Sequence, residues 1–71
     1  MKSSAKTEQV GGDHYMKLAI QPAEYILANG IGWAEGCAIA YCTRWRDKGG
    51  IQDLEKAVHS LRLLIEYERS K

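Results

Sequence analysis

The stretch Trp33 to Lys48, WAEGCAIAYCTRWRDK, constrains the fold more than any other: its first ten residues carry one charge, Glu35, and are otherwise small or apolar. A helix that is apolar around most of its circumference belongs inside something, whereas a surface helix keeps one polar face. With residues at about 100° intervals, Trp33, Ala34, Cys37, Ala38, Ala40, Tyr41, Cys42 and Trp45 share one broad sector, and Arg44 falls at its edge. Glu35 and Arg46 lie opposite with Ile39 and Thr43, so even the polar side is only partly hydrophilic. A chain of 71 residues buries too little surface to be comfortably stable alone. The cover for this helix must come from other helices or from other subunits.

Composition narrows the classes. A net charge of +1 lacks the strongly basic footprint of a nucleic-acid binder, so nucleic acid is not an expected partner. The apolar stretch is broken by Glu35 and glycines and is too short to cross a bilayer, and the polar N-terminus MKSSAKTEQVGG lacks the apolar segment of a signal peptide. The expectation is a cytoplasmic protein that does not enter a membrane. Cys37 and Cys42 sit about 140° apart on one helix and read as reduced, packed side chains rather than a disulfide.

Residues 1–12 are rich in Lys, Ser, Thr and Gly and read as a flexible tail, leaving residues 13–71 as one helical domain. GGDHY supplies turn chemistry, and Met16 to Ile20 reads as a short extended arm packing Tyr15, Leu18 and Ile20. PAEYILANG has Pro at the first helical position and an Asn29-Gly30 stop, with Ala23, Tyr25, Ile26 and Leu27 expected to face the central helix. Gly49-Gly50 should close that central helix. In IQDLEKAVHSLRLLIEYERSK, Leu54, Ala57, Val58, Leu61, Leu64, Ile65 and Tyr67 recur largely at spacings of three and four, predicting an amphipathic helix packed on the central one. Leu63 and Tyr67 lie on its far side with Lys56 and Ser60, a second apolar patch suited to a subunit contact. The fold class is therefore all-α: three helices after a flexible tail and a short arm, assembled as a homo-oligomer.

No phosphate loop of the GxxxxGK[ST] type, no GxGxxG, no CxxC and no HExxH occurs. Chemistry must come from weaker constellations. Asp13 and His14 form either an acid/base pair beside glycines that admit an anion or an ordinary Asx turn. Arg44 in partly apolar surroundings needs a carboxylate, a carbonyl or a phosphate; as a structural ion pair its candidate partners are Glu24, Glu55 and Glu35 of another chain. Lys48-Gly49-Gly50 opens onto a helix N-terminus, where phosphate can bind, but Asp53 and Glu55 bring negative charge there and favour a plain turn. His59 reads as a solvated or boundary residue, with no second ligand at metal-binding spacing. No metal and no cofactor is expected.

Taken together, GGDHY, IQPAEYILANGIGW, EGCAIAYCTRWRDKGG and DLEKAVHSLRLLIE resemble a small phage and prophage family, carried as a domain of unknown function, whose members include a phage nucleotide kinase. The resemblance runs from about Val10 to Ile65. It implies phosphoryl transfer from ATP to deoxynucleoside monophosphates without a phosphate loop. Carried over by position, it places Asp13, His14 and Tyr15 in the site, and the family pattern GNAIKYxxR reads here GCAIAYCTR. Gly36, Tyr41 and Arg44 match; Cys37 stands where the family has asparagine and Ala40 where it has lysine.

In an active member Arg44 would neutralise phosphate charge, His14 or Asp13 would hold or deprotonate the acceptor, Tyr15 and Tyr41 would line the ligand site, and Lys48 would assist. Neither Cys nor Ala replaces the polar groups lost, which predicts weakened or absent transfer. The resemblance thus implies a nucleotide-binding, kinase-like protein. Two alternatives stay open: an interaction protein that inhibits a host factor of defence, replication or transcription, and a sponge for a nucleotide signal.

Overall fold

The structure, a computed structural model, describes residues 18–71. The expected tail and the trio Asp13, His14 and Tyr15 lie outside the described residues. Among those described there are three helices and no strand: α1 (Pro22–Ala28), α2 (Trp33–Arg44) and α3 (Ile51–Arg69). The all-α expectation holds. Leu18 to Ile20 form bends, with Leu18 and Ile20 exposed rather than packed as an arm.

Local chemistry explains each boundary. Pro22 begins α1, where its missing N–H costs nothing. At the other end Gly30 takes φ 63°, and the amide of Ile31 donates to the Ile26 carbonyl at 3.0 Å while that of Gly30 donates to Leu27 at 3.3 Å. This paired closure satisfies carbonyls the helix would otherwise leave open. Asn29 adds a side-chain bond to the Tyr25 carbonyl at 2.9 Å. The α-helical part of α2 stops at Arg44, four residues before the expected end, and the chain continues in turns to Gly50. There the Gly50 amide reaches back to the Trp45 carbonyl at 2.7 Å, and Gly50 takes φ 61° and ψ −151°, a conformation open essentially to glycine alone.

α2 packs chiefly on α3, and α1 leans on α2. What fills the junction corrects four expectations. The buried positions of α2 are Ala34, Gly36 and Ala38, and those of α3 are Asp53, Ala57 and Ser60. Small side chains let the two backbones approach. Trp33 is 73% exposed and Cys42 is exposed, so within one chain α2 is covered on part of its circumference only. On α3, Val58, Leu61, Ile65 and Tyr67 stay exposed; the face turned to α2 runs through Asp53, Ala57, Ser60 and the half-buried Leu64. Ser60, expected on the outer patch, is buried. On α1, Leu27 is 80% exposed and Tyr25 also points out, leaving Pro22 and Ile26 as its inward side chains. Gly36 makes room for Ile26: a Cβ there would meet Ile26 Cγ2 at 3.2 Å.

Candidate functional site

Arg44 ends α2 and Asp53 occupies the first turn of α3, so each complements its own helix dipole before they meet. Across the turn, Arg44 Nε donates to Asp53 Oδ2 at 2.9 Å and Nη2 to Oδ1 at 3.4 Å. Asp53 is 1% exposed, while a quarter of the Arg44 side chain (25%) reaches the surface. The partner of Arg44 across this turn is Asp53, a carboxylate that the candidates Glu24, Glu55 and a second chain's Glu35 did not include. Gly49 is part of the same device, since a Cβ there would overlap the Asp53 carboxyl group. The Lys48-Gly49-Gly50 turn accordingly serves the ion pair, as Asp53 at the head of α3 foreshadowed.

Tyr41, one turn before Arg44, lies beneath it. The guanidinium carbon stands 5.0 Å from the ring centroid, and Lys56 from α3 brings its Nζ to 5.8 Å of the same ring, both within cation–π range. Lys48 is exposed, and its amide donates to the Arg44 carbonyl at 3.0 Å, which puts it one turn further along the chain. Of the sequence-derived site residues, the structure thus brings Tyr41 and Arg44 together with Lys48 near by, and Asp13, His14 and Tyr15 lie outside the described residues. Sequence reasoning missed Lys56 as a site residue and Asp53 as the partner of Arg44; their three-residue spacing on α3 would place them on one side of that helix. Arg46 turns away and stacks on Trp45 at 4.7 Å. His59 is exposed.

Two shallow grooves flank Trp33. One runs between Trp33 and Glu35 of α2 and Leu63, Tyr67 and Glu68 of α3. The other, lined by Ile26, Leu27, Gly36, Cys37 and Ala40, lies between α1 and α2. Cys37 and Ala40 line this second, apolar groove. Among the described residues no group of three or more His, Cys, Asp or Glu side chains could hold a metal ion, and no helix is long and apolar enough to cross a membrane.

Comparison with known protein families, with functionally characterised proteins and with solved structures finds no match to this chain.

Proposed function

We propose that the chain is a small nucleotide-binding protein that works as a homo-oligomer in the cytoplasm, of the kind its resemblance to the phage nucleotide kinases implies. The observation that supports a binding site is the cluster around Tyr41. One aromatic ring has Arg44 and Lys56 against it, and of these two cations Arg44 is paired with the carboxylate of Asp53. An aromatic ring can stack a base or sugar, and the surplus positive charge suits a phosphate. Asp53 fixes the direction of the guanidinium, and preorganised charge is what phosphate recognition requires. Lys48 extends the positive surface along the chain. Asp13, His14 and Tyr15 complete the site in this reading, with His14 or Asp13 at the acceptor. With Cys37 and Ala40 in place of asparagine and lysine, transfer from ATP to a deoxynucleoside monophosphate is slow or absent.

Calorimetric titration with ATP, dGMP, dTMP and cyclic nucleotides tests this directly. Saturable binding is expected, weakened about tenfold or more in Lys56→Ala, a surface change that removes one charged contact. Turnover of dGMP or dTMP with ATP above a His14→Ala, Lys56→Ala background would establish a kinase; tight binding without turnover would mark a nucleotide sponge. Silence across the whole panel contradicts the reading. The exposed groove of Trp33, Leu63 and Tyr67 favours the second reading, an interaction protein for a host factor. That reading expects nucleotide silence together with one stoichiometric partner whose binding fails in Tyr67→Ala.

A further inference from the structure

α3 carries an apolar stripe that stands largely exposed among the described residues. Ile51, Leu54, Val58, Leu61 and Ile65 fall at spacings of three and four in strict alternation, the heptad pattern of a coiled-coil seam, with β-branched residues at the a positions and leucine at d. Four of the five are 41–65% exposed, and Leu54 is half-buried. The stripe is about 21 Å long and is turned about 110° from the face that meets α2. Its flanks differ. On the side of α2 stand Ala57, buried, and Leu64, half-buried; on the open side stand Glu55 and Arg62.

We propose that this stripe is closed by α3 of a second copy, lying antiparallel across a two-fold axis between Val58 and Leu61. The proposal rests on the homo-oligomer reading and assigns it a face and a direction. Two-fold symmetry makes the contact self-complementary. With the helices antiparallel, Val58 layers on Leu61 of the other copy and Leu54 on Ile65. The same register sets Glu55 beside Arg62 of the second copy, and Arg62 beside its Glu55, giving two opposite-charge pairs. In the parallel arrangement Glu55 and Arg62 would flank Gly50 and Ala57 instead, and Glu68, next in the d series, would face the like charge of its own copy, whereas the antiparallel register sets it at the end of the seam beside Ile51. Charge complementarity therefore selects the antiparallel pair. The angle of about 110° between the two faces of α3 is near the corner of a four-helix bundle, so α2 and α3 from two copies close into one. The groove of Trp33 and Tyr67 stays outside this seam.

Sedimentation velocity over a dilution series of the full chain, with circular dichroism to confirm helix content, separates the components. The wild type is expected to associate and Leu61→Arg to sediment as a monomer. Glu55→Arg, which turns both cross-pairs repulsive, should weaken association about tenfold, and Glu55→Arg with Arg62→Glu should restore it. A wild type that associates equally well with Leu61→Arg would overturn this face while leaving the homo-oligomer reading intact. A double variant no tighter than the single one would overturn the antiparallel direction. A monomeric wild type would overturn the homo-oligomer reading as well and give the stripe to an unlike partner.

Discussion

Asp53 keeps 1% of its surface in contact with solvent, so its negative charge depends on Arg44 for compensation. Removing one member of such a pair leaves a buried charge uncompensated, at a cost of about 3–5 kcal/mol. Arg44→Leu is therefore expected to lower the thermal midpoint by more than about 10 °C in a domain of this size, read by circular dichroism. Replacing both residues with leucine should recover much of the loss, because the desolvation of the carboxylate disappears with its partner. Equal destabilisation in the single and double variants would show that the pair is not coupled. Gly49→Ala forces a methyl group into the Asp53 carboxyl and should cost about 1–3 kcal/mol by overpacking, a penalty that Asp53→Ala in the same chain relieves.

At the scale of elements, α1 is held by little. Pro22 and Ile26 face inward, and Ile26 reaches α2 through the gap at Gly36. Gly36→Val should close that gap and release α1, so that hydrogen exchange speeds in residues 25–31 while the amides of α3 keep their protection. Loss of protection throughout would mean that α1 and the α2–α3 hairpin unfold as one unit.

The helices themselves were legible because their signals are local. Pro22, the Asn29-Gly30 stop and the Gly49-Gly50 turn each act through their own backbone, and their positions agree with the element boundaries to within a few residues. The inward faces were not legible. Periodicity shows that a helix has an apolar side, but not whether that side meets its own chain. On α3 the inward face is Asp53, Ala57 and Ser60, chosen by small size and by the ion pair rather than by hydrophobicity, and the stronger stripe points away. The same cause divides the candidate site. Tyr41 and Arg44 lie three residues apart on one helix and could be joined from sequence; Lys56 enters from α3, through a pairing that only the packing of the two helices defines.

For the whole molecule, among the described residues the buried apolar side chains outside α1 are Ala34, Ala38 and Ala57. Alanines contribute little burial compared with the roughly 1.5–3 kcal/mol of a fully buried larger aliphatic side chain, and a chain this short has little margin to lose. The larger side chains Leu27, Trp33, Ile51, Val58, Leu61 and Ile65 stand at the surface. The proposed self-association would give the α3 stripe an interior and would unite the proposed nucleotide site at the α2–α3 turn with a shared helical core. Stability would then be inseparable from protein concentration, because dilution removes the partner that completes the core. Thermal unfolding of the wild-type chain recorded across a wide range of concentrations tests this most directly: the midpoint should rise steadily as the protein is concentrated, and a midpoint that stays constant over the whole range would contradict it.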